Sequence, residues 1–390
     1  MNPLAISAYT ATTALGRGNA ALLDALRRGK GGLKANDFDR AELRAWIGRV
    51  GGLEDAPIGG ALAEFDCRNN RLAQLGLAQD GFKDAVSKAI NRYGAKRVAV
   101  LLGTSTSGIL RTELAYRERD AEGNLPRDLH YRHAQNLYSI TDFVRHALAL
   151  EGPAMTISTA CSSSAKVFAS AARYIEAGII DAAVVGGVDS LCLTTMHGFT
   201  SLQLVSDEPC RPFDAARKGM SIGEAAGFAL VEKIGSSSIA LLGYGESSDA
   251  YHMSTPQPDG EGALGAMQQA LTRAGLEPGE IDYVNAHGTA TPANDRAEDR
   301  ALVRLFGMRV PVSSTKGFTG HTLGAAGIVE AIVCFLALEH GLLPATLNSS
   351  AIEPGLESNV LLENRAAQVR RALSNSFGFG GSNCSLVFGA

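Results

Sequence analysis

One kind of passage occurs twice in this chain and restricts what it can fold into. In Met155–Ala165, read onward to Gly178, the β-branched residues Thr156, Ile157 and Thr159 predict a short buried strand. Ala165, Phe168, Ala172 and Ile175 then recur at helical spacing, and Gly178 ends the run as a C-terminal cap. Cys161 stands where the strand turns sharply into the helix. Val310–Thr315 makes the same turn out of a strand, and the helix predicted over 327–338 closes at Gly341. Repeated strand–turn–helix units, with 44 glycines for tight turns between them, predict an α/β fold with a duplicated architecture.

Further strands are expected at Leu4–Ala8, Arg97–Leu102, Asp181–Val188, Phe228–Val231 and Ile281–Val284. One long helical stretch is expected from Arg68 to about Tyr93, and a solvated excursion over Glu113–Arg132. Gly235-Ser-Ser-Ser238 reads as the linker, dividing the chain into halves 1–235 and 236–390.

The balance of 36 basic and 40 acidic residues, net −4, excludes general nucleic-acid binding, which needs a basic excess. Six scattered cysteines show neither a disulfide framework nor a paired metal knuckle. His130 and His133 lack a third ligand nearby, so no metal site is expected. The start of the chain lacks the basic region of a secretory signal, and no apolar run is read as long enough to span a bilayer. The expectation is a soluble, cytoplasmic protein. Gly103-Thr-Ser-Thr-Ser-Gly108 has the outline of a phosphate loop, but Ile109 and Leu110 replace its Lys and Ser/Thr. It is read as a turn or pocket wall.

Cys161 lies at the start of a helix, where free N–H groups and the positive end of the dipole favour a thiolate. The polar run Ser162–Ser164 beside it is more than a buried, inert cysteine needs. His287, in Asn285-Ala-His-Gly-Thr, and His321, in Ser314-Thr-Lys-Gly-Phe-Thr-Gly-His, also lie in loops directly after strands. In α/β sheets, ligands gather beyond those strand ends. Lys316 and Glu330 flank His321 in sequence and are read as a buried pair orienting that second histidine. A Cys–His pair supports acyl transfer. No G-x-S-x-G elbow points to a hydrolase. Two neutral imidazoles beside an acyl-cysteine can hold an enolate oxygen, and that enolate would attack the acyl group to form a carbon–carbon bond.

Thr159-Ala-Cys-Ser-Ser-Ser164 and the two histidine blocks resemble the active-site blocks of β-ketoacyl acyl-carrier-protein synthases of the elongating, Cys-His-His type. Val185–Ser190, Arg211–Asp214, Asp249–Met253 and Asn375–Asn383 agree as well, so the resemblance covers nearly the whole chain. It implies the thiolase fold, two similar α/β halves stacked as a five-layer αβαβα sandwich, normally dimeric. It implies decarboxylative condensation of a Cys161-bound acyl chain with malonyl-carrier protein. His287 and His321 would hold the enolate, and Lys316 and Glu330 would support His321. The amides of Cys161 and Phe379 would form the oxyanion hole.

By the same resemblance Thr289 and Thr291 would contact the pantetheine arm, and Phe377 and Phe379 would gate the acyl pocket, with Thr106 near its floor. Arg68, Arg71 and Arg127 would dock an acidic carrier protein. No cofactor is implied beyond the carrier's phosphopantetheine, and the dimer partner would be a second copy or a related ketosynthase or chain-length-factor subunit. Asp207 and Glu208 stand where a basic docking residue is common in the family. Chain elongation in fatty-acid synthesis competes with an aryl polyene or other polyketide-type pathway. The rival reading is a non-catalytic, chain-length-factor-like subunit; such subunits typically lack the nucleophile, and Cys161 with both histidines argues against it. An initiating synthase would carry Asn at the place of His321.

Overall fold

The computed structural model describes residues 1–39, 41–233 and 237–390. The predicted boundary at 235/236 lies outside the described residues.

Five strands build the first half: β1 (Leu4–Thr13), β2 (Val98–Gly103), β3 (Ala154–Ile157), β4 (Ala182–Asp189) and β5 (Ala225–Glu232). They lie in the order β3-β2-β4-β5-β1. β2 runs parallel to β3 and β4, whereas β5 is antiparallel to both β4 and β1. The second half supplies β6 (Ala240–Ser248), β7 (Tyr283–Asn285), β8 (Pro311–Ser313), β9 (Arg371–Gly378) and β10 (Ser382–Gly389). Their order is β8-β7-β9-β10-β6, with the same parallel and antiparallel pairings position for position. Each half therefore places its strands third, second, fourth, fifth, first. The expected duplication is real and not merely shared α/β grammar. The halves join edge to edge, Leu4 opposite Leu241 and Ala5 opposite Ala240.

Helices fill the remaining layers. α1 (Arg68–Leu77), α2 (Phe82–Tyr93) and α3 (Ser139–Ala147) pack outside the first half on a core containing Leu72, Phe82, Phe143 and Val184. α4 (Ser163–Glu176) lies between the halves. α5 (Glu261–Ala274) and α6 (Pro292–Phe306) cover the second half over Met267, Leu302 and Val284. α7 (Ala326–His340) returns to the middle, sharing with α4 a core that includes Phe168, Ile332 and Phe335. This is the thiolase fold, in the layered arrangement the resemblance implies.

Two expectations need correction. The helix foreseen over Arg68–Tyr93 is two helices, broken at Asp80 and Gly81, whose φ values are 53° and 65°. Asp80 leaves the helical path to accept hydrogen bonds from Thr10 and from the Asn19 amide. One apolar stretch, Leu323–His340, does have the length and composition to cross a membrane. It is 89% buried, and a helix that is, Glu330 apart, apolar along its buried length is what the middle of a layered fold requires.

The middle layer brings the two functional loops together. At Gly327 an added Cβ would lie 2.6 Å from the Ala165 amide nitrogen, so only glycine permits α4 and α7 to approach this closely. Their N-terminal ends, where Cys161 and His321 stand, are thereby brought side by side.

Candidate active site

The turn from β3 into α4 is braced by its own side chains. Ala160 sits at φ 53°, a left-handed conformation that costs a non-glycine residue about 1–2 kcal/mol. Ser162 Oγ donates to the Thr159 carbonyl at 2.9 Å, and Ser163 Oγ donates to that of Ala160 at 2.5 Å. Ser164 Oγ accepts from the Ile328 amide of α7 at 3.0 Å. The serine run is thus the fastening of a strained turn that points Cys161 into a cavity.

Cys161, His287 and His321 are buried, and the cysteine sulfur and one ring nitrogen of each histidine lie within 4.8 Å of one another. The two imidazoles meet edge to face with centroids 5.3 Å apart. His321 is fixed by its backbone, its amide donating to the Ser221 carbonyl at 2.7 Å and its carbonyl accepting from Gly223 at 2.9 Å. Its Nδ1 accepts from the Leu323 amide at 3.3 Å. Lys316 Nζ, which can only donate, lies 3.4 Å from Nδ1 of His287. Both rings are thereby assigned the tautomer with hydrogen on Nε2. Among the described residues His321 Nε2 has no hydrogen-bond partner. Three such side chains at this spacing invite comparison with a metal centre, yet the tautomers oppose it. Two N–H groups suit an oxyanion, whereas a cation needs lone pairs.

Electrostatics agree. Burial, then the charge of Lys316, holds the pKa of both histidines well below the ordinary value, His321 adding a smaller push on His287. Both rings are neutral at pH 7. The expectation of a ready thiolate at Cys161 is not met. Burial pushes its thiol up to about 11, outweighing the opposing pull of Lys316 and of the Phe379 amide that faces the sulfur.

Lys316 and Glu330 do form a buried ion pair. Its contacts differ from those expected. Lys316 also donates to the backbone carbonyl of His287, so the pair braces the first histidine by direct contact and reaches the second only through charge. Burial raises the Glu330 carboxyl to about 7 despite the lysine.

A cavity of about 340 Å³ opens on this trio. Thr289, Thr291, Phe377 and Phe379 line it. The Thr289 and Thr291 hydroxyls bond to each other at 2.8 Å, and Phe377 packs against His287 at 5.8 Å. Phe379 stacks edge-on against Phe199 at 5.6 Å, just before Gly380 and Gly381, whose positive φ values shape the turn. Thr106 is not among the lining residues. Its amide and hydroxyl both bond to the buried Asp189 carboxylate, at 2.8 and 2.7 Å. The amides of the Gly103–Gly108 turn that a phosphate would need are thus partly occupied by Asp189.

Two of the three expected docking arginines are engaged elsewhere. The Arg68 side chain is 8% exposed and bridges buried Glu224 and Glu54 at 2.6 and 2.7 Å. Arg71 is held by Asp66 at 2.5 Å and by the carbonyls of Leu53 and Glu54. Arg127 is exposed.

Sequence reading missed Glu298 on α6. Its two oxygens accept the amides of His287 and Gly288, each at 2.8 Å, and Asn375 donates to it at 3.2 Å. Burial lifts its carboxyl to about 7. Nothing marked it among the charged residues of that helix. Asp189 was visible only as part of a matched block; besides the Gly103–Gly108 turn it accepts the Gly324 amide at 2.6 Å, tying that turn to the loop of His321.

A thiolase fold that gathers one cysteine and two histidines in one cavity defines the class of this protein, and its relatives define the family. Residues 1–235 match the family model for the β-ketoacyl synthase N-terminal domain, and 239–350 that for the C-terminal domain. The chain belongs to the β-ketoacyl synthase family. It is 43% identical over 265 residues to 3-oxoacyl-(acyl-carrier-protein) synthase 2 of Rhizobium meliloti, covering 63% of this chain and 62% of that protein. The aligned part thus spans less than two thirds of that relative. Against the synthase 2 of Staphylococcus aureus it is 33% identical, over 82% of this chain and 84% of that one. A Xenorhabdus doucetiae ketosynthase solved in complex with its chain length factor superposes with a TM-score of 0.91 at 39% identity, covering 100% of this chain and 98% of that one.

Proposed function

We propose that this protein is an elongating β-ketoacyl synthase that condenses a Cys161-bound acyl chain with malonyl-carrier protein. The observation that carries this reading is the pair of neutral imidazoles, both bearing hydrogen on Nε2, beside a buried thiol. They can hold an oxyanion but have no free lone pair with which to act as a base.

In the first half-reaction the Cys161 sulfur attacks the acyl thioester, with the oxyanion received by the amides of Cys161 and Phe379. The thiol proton leaves with the departing pantetheine sulfur, so no side chain retains it. Malonyl-carrier protein then loses carbon dioxide. The electron pair of the broken bond becomes an enolate whose oxygen takes hydrogen bonds from His287 and His321. The enolate carbon attacks the acyl carbonyl, the Cys161–acyl bond breaks, and the sulfur takes one proton from solvent. Thr289 and Thr291 hold the pantetheine arm at the cavity mouth.

Relatives support carrier protein as the acyl donor, and the Xenorhabdus structure supports a second, related subunit as partner. Incubation with acyl-carrier protein should add one acyl mass to the intact protein, and malonyl-carrier protein should discharge it as a β-ketoacyl product. No mass gain, or a charged protein that malonyl-carrier protein cannot discharge, would refute the reading.

A further inference from the structure

The helix Leu193–Ser201 carries Phe199, the ring that stacks on Phe379. Its N-cap residue, Cys192, provides no side-chain cap. The first helical amides are met instead by a carboxylate from another element. Glu113, on the helix Ile109–Arg117, accepts the Leu193 amide at 2.9 Å through one oxygen and the Thr194 amide at 2.7 Å through the other. A two-oxygen clamp on the positive end of a helix fixes both its position and its rotation. Leu110, Leu193 and Phe199 pack around the same small apolar cluster, so the two helices are joined by packing as well as by charge. From there the connection is short: Phe199 meets Phe379, and the Phe379 amide faces the Cys161 sulfur.

Resting on the condensation reading above, we propose that Glu113 is a positioning residue for acyl transfer: by clamping the Leu193–Ser201 helix it holds Phe199 against Phe379 and so keeps the Phe379 amide aligned with Cys161. The enolate step uses the histidine N–H groups, and the two hydrogen bonds of Glu113 go to neither of their loops, although Leu323 of the His321 loop shares the apolar cluster. The clamp therefore acts on one half-reaction and spares the other.

The test is acylation of Cys161 by acyl-carrier protein, followed by intact mass, beside decarboxylation of malonyl-carrier protein without an acyl donor. Glu113→Gln should slow acylation about tenfold and leave decarboxylation within about twofold, because a neutral amide can accept only one of the two N–H groups. Glu113→Asp, which keeps the charge, should recover part of the loss. In a Phe199→Leu background Glu113→Gln should add less than about twofold, since both changes act on one contact. Equal loss of both half-reactions, no loss of either, or the full tenfold effect persisting in Phe199→Leu would overturn the assignment. Wild-type protein that neither acylates nor decarboxylates would instead count against the condensation reading itself.

Discussion

Lys316 donates to the backbone carbonyl of His287 while its ammonium stands 3.4 Å from Nδ1 of the same ring. One buried cation thus fixes the loop and the tautomer of an imidazole, and adds to the burial that keeps it neutral. Lys316→Ala should remove both contacts and, at a pH above that at which Glu330 keeps its proton, strand the Glu330 charge. Breaking a buried pair costs about 3–5 kcal/mol once the remaining charge stands unpaired, so under alkaline conditions the variant should melt well below wild type. Pairing it with Glu330→Gln should recover most of the melting temperature, read by calorimetry, while decarboxylation stays down about a hundredfold.

The two histidines should differ little in kind but both should be specific to the enolate. His321→Ala is expected to lower malonyl decarboxylation about a hundredfold or more, the scale of a lost oxyanion donor, while Cys161 acylation falls less than tenfold. Single-turnover assays of each half-reaction measure this. Equal losses would place His321 in acyl loading as well.

The resting thiol should be sluggish. With its pKa pushed up to about 11 against an ordinary 9, Cys161 has roughly a hundredfold less thiolate at pH 8 than a free cysteine. Alkylation by iodoacetamide, located by peptide mass, should keep rising with pH toward about 11. A plateau near neutrality would mean a standing thiolate–imidazolium pair.

Glu298 ties stability to pH. Its carboxyl keeps a proton up to about 7 in the folded protein, against an ordinary 4.5. The native state therefore binds the extra proton between those values, and its contribution is lost as pH rises through 7. Urea unfolding at pH 5 and pH 8 should show wild type losing about 2–3 kcal/mol relative to Glu298→Gln.

The chemistry was legible because Cys161, His287 and His321 each follow a strand in a small-residue loop, and repeated strand order brings such loops to one place. What escaped reading depends on partners distant in sequence. Arg68 reads as a surface cation until Glu224, 156 residues away, draws it inward. Thr106 reads as part of the acyl pocket floor until Asp189 takes its hydroxyl. The thiolate at Cys161 follows from its place before a helix, but the depth of the layers above it decides the balance, and no local pattern records that depth. Glu298 has no motif of its own and acts through the amides it receives.

The central claim is that Cys161 carries the acyl chain through the reaction. Intact-mass analysis of wild type and Cys161→Ala, after acyl-carrier protein and again after malonyl-carrier protein, tests it most directly. The account predicts one acyl group on wild type that vanishes as β-ketoacyl product appears, and neither event in Cys161→Ala. An acyl adduct or condensed product formed by Cys161→Ala would contradict it.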